Sequence, residues 1–302
     1  MLAQLPSEIL AEIINSAIEA PSTRPTILLT TLTTYHIGLP IIYQTLAFYS
    51  KKQLQRFISY YEDNKIPYPP RSVVIKLGND AVVAFSDLHA KLFNILKRDP
   101  RMEVEADGRV VLDLLRLRMN SFTKIESSVY QTLSMINPRA FIWTGPDPQH
   151  HFSLAIVPSA LESLLRAAET YTNLTYLKLG NFAAMTAIPH IPSLRRLYLG
   201  RAVFLDPSVI ARFVLSPEAN NLESLRLVDT YQESIWGPRV RRSDVETAAI
   251  QHILGDISMQ QPRTIEQEQL ISAATDKIRR IVRCEGVTER IIGGDRVSDV
   301  LI

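Results

Sequence analysis

The chain has 302 residues, 46% of them apolar, with 33 Lys and Arg against 31 Asp and Glu, a formal net charge of +2 and a mean hydropathy of +0.03. Those values fit an ordinary soluble core-former and exclude the strongly basic footprint expected of a nucleic-acid or anionic-membrane binder. The single cysteine, Cys284, has no internal disulfide partner, so an intracellular chain, cytoplasmic or nuclear, is expected.

The first element is Leu5-Pro6-Ser7-Glu8-Ile9-Leu10-Ala11-Glu12-Ile13-Ile14. Ile9, Leu10, Ile13, Ile14, Ala17 and Ile18 recur at helical spacing and share one face. Pro6 suits a first turn, where its missing N–H needs no partner. Glu8 and Glu12 lie early, where they complement the positive end of the helix dipole. Residues 1–18 lack the basic start of a signal peptide, and no run of about 18 apolar residues offers a membrane span. Pro21 and Pro25 then break the helix and make a loop over 20–25. Ile27-Leu28-Leu29, Leu32, Tyr35-His36, Leu39 and Ile42-Tyr43 return to helical spacing. Five threonines between 26 and 34 weaken that segment in isolation, so it needs burial against the first helix.

Gln44 to Tyr49 reads as a short strand. Ser50 caps a helix through Tyr61, with Leu54, Phe57, Ile58 and Tyr61 inward. Residues 64–70 form a loop, and Ser72 to Leu77 a strand. The clearest pattern comes later. Asn173-Leu174-Thr175-Tyr176-Leu177-Lys178-Leu179, Ser193-Leu194-Arg195-Arg196-Leu197-Tyr198-Leu199 and Asn221-Leu222-Glu223-Ser224-Leu225-Arg226-Leu227 each contain L-x-x-L-x-L. Three copies within about 55 residues are a strong repeat signal. The last two leucines of each copy point into the core of a solenoid, and the residues between them line its concave face. Val73–Leu77, Val110–Leu114 and Ala140–Trp143 are weaker candidates for the same ladder, although 110–118 also fits a helix. Phe182, Ala202 and Thr230 stand where such repeats usually carry Asn, so no buried Asn ladder is expected.

Helices are expected at about 81–97, 121–136, 157–171, 206–215 and 243–256. Ile265 to Val282 reads as an amphipathic helix with Leu270, Ile271, Ala274, Ile278 and Ile281 inward. Glu289 to Ile292 reads as a last strand and Gly293-Gly294-Asp295-Arg296 as a turn, together capping the solenoid.

Enzyme signatures are missing from this reading. The six histidines form no His-Glu-x-x-His, and one cysteine builds no zinc cluster, so neither metal nor cofactor is expected. His150-His151 reads as a solvated loop pair and Cys284 as a core or interface thiol. Asn173-Leu174-Thr175 matches a glycosylation acceptor, which an intracellular chain does not use. Arg239-Val240-Arg241-Arg242, near Tyr231 and Trp236, is the densest basic cluster and reads as a solvated loop, or as a patch for an acidic partner.

The order of these elements resembles fungal, mushroom-type F-box proteins with leucine-rich repeats. The family's opening Leu-Pro-x-Glu-Ile/Leu-Leu-x-x-Ile stands here as Leu5 to Ile13, and Thr33 to Tyr43 is similar to the end of the box. The resemblance implies an α/β chain: a small N-terminal helical F-box over 1–45, then an irregular leucine-rich-repeat solenoid over 46–302. That solenoid is a curved parallel sheet with outer helices, capped by 265–302. The resemblance further implies a non-catalytic substrate-recognition subunit of a Skp/cullin/F-box ubiquitin ligase. Leu5, Pro6, Ile9, Leu10, Ile13 and Ile14 are then the surface for a Skp-type adaptor and, through it, a cullin. On the concave strand surface Thr175, Lys178, Arg195, Tyr198, Glu223 and Arg226 are candidates for holding a protein substrate. Nucleic acid and membrane are not expected partners. The competing reading is a leucine-rich-repeat protein-binding scaffold with no ubiquitin role.

Overall fold

The computed structural model describes residues 5–18, 26, 29–77, 87–121, 127–145, 155–255 and 264–287. Expectations for the loop at 20–25, for Ile27-Leu28, for 81–86 and 122–126, for His150-His151 and for 289–296 lie outside the described residues.

The chain is α/β. Eight strands form one parallel sheet in strict sequence order: β1 (Thr45–Phe48), β2 (Ser72–Lys76), β3 (Val110–Arg118), β4 (Ile136–Thr144), β5 (Tyr176–Gly180), β6 (Arg196–Gly200), β7 (Ser224–Val228) and β8 (Val282–Glu285). Period-two alternation sends every second side chain to the same face. Two buried ladders result, each crossing all eight strands. One runs Leu46, Val73, Leu115, Phe141, Leu177, Leu197, Leu225, Val282. The other runs Phe48, Ile75, Leu117, Trp143, Leu179, Leu199, Leu227, Cys284. Both belong to one hydrophobic core. The segment at 110–118 is thus a strand, because its leucines at 115 and 117 are needed in the ladders.

Helices cover the ladder face and contribute to that same core. They are α3 (Lys51–Tyr61), α4 (Asp87–Arg98), α5 (Ser127–Leu133), α6 (Pro158–Ala168), α7 (Pro207–Leu215), α8 (Arg242–Leu254) and α9 (Ile265–Ile281). Their starts follow local chemistry. Ser50 accepts the Gln53 N–H at the head of α3, Asp206 accepts that of Ser208 before α7, and Thr264 accepts that of Gln267 before α9. Pro158 and Pro207 open α6 and α7. The buried tips are satisfied: Trp143 Nε1 donates to the Met119 carbonyl at 3.1 Å, and Tyr171 Oη to that of Leu133 at 2.9 Å.

Each of β5, β6 and β7 is followed by a residue with left-handed backbone: Asn181 at φ 60°, Arg201 at 49° and Asp229 at 50°. Each N–H there extends the ladder by one bond, to Gly200, Val228 and Glu285. The next positions, Phe182, Ala202 and Thr230, turn inward and are buried.

Two sequence expectations at the C-terminal end need correction. Leu270 is 59% exposed, because α9 buries residues only from Ala274 onward, at Ala274, Ile278 and Ile281. The helix also stops at Ile281, and Val282 begins β8 rather than ending α9.

Before the sheet, α1 (Ser7–Ile18) packs on α2 (Leu32–Gln44) with a small separate core: Leu10 and Ile14 against Ile37, Ile41 and Ile42. Thr31 caps α2 and its hydroxyl accepts the Thr34 N–H, so the threonine run that weakens this helix also starts it. α2 leads directly into β1. Among the described residues no helix is long and apolar enough to cross a membrane.

Candidate functional site: the open face of the sheet and the exposed stripe of the first helix

The residues between the ladder positions face the other way. In register across the strands they are Ala47, Val74, Arg116, Ile142, Lys178, Tyr198, Arg226 and Arg283. The row one pleat further on brings Lys76, Arg118, Thr144, Gly180 and Gly200 side by side. Together these rows shape an open recess of about 570 Å³. Lys76, Arg116, Arg118, Lys178 and Arg201 line it together with Tyr176 and Tyr198. No carboxylate lines it among the described residues.

The aromatic rings hold some of these cations. Lys178 Nζ lies 4.1 Å from the centre of the Tyr198 ring, and the Arg226 guanidinium lies 5.5 Å from the same ring. Arg196 lies 5.2 Å from Tyr176, and Lys76 lies 5.4 Å from Tyr49. Burial, then the charges of Arg116 and Arg226, push the Lys178 ammonium below the ordinary lysine value. Burial raises the Tyr176 and Tyr198 phenols, so both are neutral hydroxyls able to donate. Gly200 makes the packing possible: a Cβ there would lie 2.7 Å from Tyr198 Cε1.

Of the residues expected to hold a substrate, Lys178, Tyr198 and Arg226 are register neighbours on this face. Arg226 is engaged, donating to both Glu285 oxygens at 2.9 and 2.6 Å, which holds the Glu285 carboxyl below its usual range. Thr175, Arg195 and Glu223 lie apart from the recess, at or just before the strand starts. There the Thr175 hydroxyl donates to the Arg139 carbonyl, and Arg195 pairs with Glu223 at 3.1 Å. That edge also carries Arg139 paired with Asp113 at 2.6 Å and with Glu103 at 3.3 Å. The sequence reading missed Lys76, Arg116, Arg118, Tyr176 and Arg201. Their signal is alternation within separate strands, which becomes a cluster only once the register is known.

The adaptor candidates divide into two groups. Leu10 and Ile14 are 5% and 3% exposed, used up by α2. Leu5, Ile9 and Ile13 are 38%, 45% and 44% exposed, and Pro6 is exposed beside them. Ile9 and Ile13 sit about 100° around the helix from Leu10 and Ile14, and α2 covers only the latter side. Leu29, Leu32 and Tyr35 are exposed in the same module.

The remaining candidates have structural roles. Arg239 is buried and pairs with buried Asp229 at 3.1 Å, so this member of the basic cluster is anchored inward, while Arg241 and Arg242 stay half-exposed. Asp244 accepts the Arg241 N–H at 2.8 Å at the start of α8. Asn173 donates to Glu105 at 2.7 Å, tying its amide into the strand edge. Cys284 is buried in a ladder, and burial pushes its thiol up to about 12. Among the described residues no group of three or more His, Cys, Asp or Glu side chains is placed to hold a metal. Compared with protein-family models, with curated proteins and with solved structures, the chain gives no match.

Proposed function

We propose that the chain is a substrate receptor of a Skp/cullin/F-box ubiquitin ligase. Its α1–α2 module is an F-box that docks on a Skp-type adaptor, and its sheet and helices are an irregular leucine-rich-repeat solenoid that holds a protein substrate. On this reading the chain performs no chemistry; it raises the effective concentration of substrate near a ubiquitin-loaded enzyme. The observation that carries the reading is the unpartnered apolar stripe. Leu5 just before α1, and Ile9 and Ile13 along one side of it, are exposed, and Leu29, Leu32 and Tyr35 are exposed in the same module. Concentrated exposed apolar side chains of this kind mark a surface that another protein covers. The resemblance of Leu5 to Ile13 to the F-box opening names that protein as the adaptor.

Co-purification of the full chain with a Skp-type adaptor tests the reading. The wild type is expected to retain the adaptor, and an Ile9→Asp, Ile13→Asp variant to lose it while keeping the wild-type melting temperature. A folded wild type that retains no adaptor overturns the ligase role. What remains is a protein-binding repeat scaffold whose first helices flank the β1 edge of the sheet.

A further inference from the structure

We propose that the recess on the open face holds the main chain of an extended polypeptide segment, about three residues of it, laid over Thr144, Gly180 and Gly200 and hydrogen-bonded by the Asn181 carboxamide. The inference rests on reading the open face as the receptor surface, and it is independent of the adaptor.

Three observations carry it. First, a nearly buried amide lacks a partner. Asn181 lines the recess and is 8% exposed, yet its carboxamide makes no hydrogen bond with another described residue. Groups so enclosed are as a rule hydrogen-bonded, and leaving one unmade is costly. The left-handed backbone does not by itself call for Asn, because Arg201 and Asp229 hold the same place after β6 and β7. After β7 the side chain is engaged: Asp229 accepts the Val287 N–H at 3.0 Å and pairs with Arg239 at 3.1 Å. After β5 it is left for a ligand.

Second, the sheet is bare beside that amide. The register sets Thr144, Gly180 and Gly200 side by side on β4, β5 and β6. A Cβ on Gly180 would meet the Thr144 methyl at 3.2 Å and then nothing nearer than 3.7 Å. Glycines on a strand allow another main chain to come close. The Tyr198 ring walls this strip, since a Cβ on Gly200 would lie 2.7 Å from its Cε1 and 3.4 Å from its hydroxyl oxygen. That phenol is neutral and its hydroxyl makes no hydrogen bond with a described residue.

Third, the donors and acceptors match a peptide. A carboxamide offers two N–H donors and an acceptor oxygen, the complement of the C=O and N–H of a peptide group, and a phenol both donates and accepts. From β4 to β6 is two strand spacings, about 10 Å at about 4.8 Å each, and about 3.3 Å per extended residue makes that about three residues.

An NMR titration of the isotope-labelled full chain tests this. The probe is acetyl-Ala-Gly-Ala N-methylamide, beside the same tripeptide with its central amide replaced by an ester. Maltotriose and N-methylacetamide are titrated in parallel. The tripeptide is expected to give saturable shifts at the Asn181 carboxamide and at the Gly180 and Gly200 amides, and the ester to bind about tenfold more weakly for its missing N–H. Asn181→Gly keeps a residue suited to the left-handed backbone and should also weaken binding about tenfold, with the rest of the spectrum in place. Gly180→Ala, which puts a methyl on the strip, should weaken it too, and Asn94→Ala on α4 should leave it unaltered. Equal binding of amide and ester overturns the inference, as does indifference to Asn181→Gly or the absence of shifts at Asn181. So does tighter binding of maltotriose, or N-methylacetamide binding as tightly as the tripeptide. Peptide binding by a chain that retains no adaptor supports this inference and removes the ligase reading. Adaptor retention with no peptide binding removes this inference alone.

Discussion

Lys178 and Tyr198 are register partners on β5 and β6, and the ammonium of the first stands over the ring of the second at 4.1 Å. The pair forms on the open face because Leu177 and Leu197, and Leu179 and Leu199, are paired on the opposite one. The open face here is the reverse side of a packing decision.

The lowered Lys178 value makes a pH prediction. Its ammonium holds the Tyr198 ring only while protonated, so that contact should weaken as pH rises through the lowered value, before ordinary lysines lose their charge. Folding carries the opposite sign. The folded chain releases this proton earlier than the unfolded chain, so the contribution of this group to stability rises with pH between the lowered value and 10.5. Lysine NMR after reductive methylation should report the low titration, and Arg116→Gln should move it back up.

The first helix separates into two behaviours. Ile14→Ala should cost about 2–5 kcal/mol of the stability of the α1–α2 module, since Ile14 is 3% exposed and fills its small core. Ile9→Ala should cost within about 0.5 kcal/mol, as surface changes do. Amide hydrogen exchange over α1 and α2 reads both without needing the rest of the chain to unfold.

Much of the architecture is legible in the sequence, and the reasons are local. L-x-x-L-x-L places β5 to β7 because a leucine pair two residues apart is both a strand signal and a core signal. Ser50, Pro158 and Pro207 announce their helices through backbone chemistry alone. β8 was hidden because Val282 follows Ile281 with no turn residue between them, so one apolar run serves a helix end and a strand start. The stripe at 9, 10, 13 and 14 is wider than one partner helix covers, and nothing within it says which half α2 takes. The basic recess was invisible for a third reason. Lys76, Arg116, Lys178 and Arg201 are far apart in the chain, and a net charge of +2 averages them away.

The Asp229–Arg239 pair gives a stability prediction. Both side chains are buried, at 4% and 10% exposure, and Asp229 also accepts the Val287 N–H at 3.0 Å. Removing one partner strands a buried charge, so Asp229→Ala should cost about 3–5 kcal/mol in chemical denaturation. Arg239→Met added to Asp229→Ala should recover part of that loss, because the stranded charge is gone.

Cys284 should behave as a reporter of unfolding. The residue is 7% exposed and its thiol is pushed up to about 12, chiefly by burial, so thiolate is scarce at pH 8. Alkylation of the native chain should be slow and should accelerate in denaturant in step with loss of the sheet. Fast labelling of the native protein would mean that β8 opens on its own.

The two ladders have a geometric consequence for recognition. Because their side chains are locked in register across every strand, the outward groups stand on a fixed grid, with one step set by the strand spacing and the other by the pleat. Such a grid spaces its side chains at set intervals, and Ile142 and Thr144 on β4 separate the cations of β3 from Lys178 on β5.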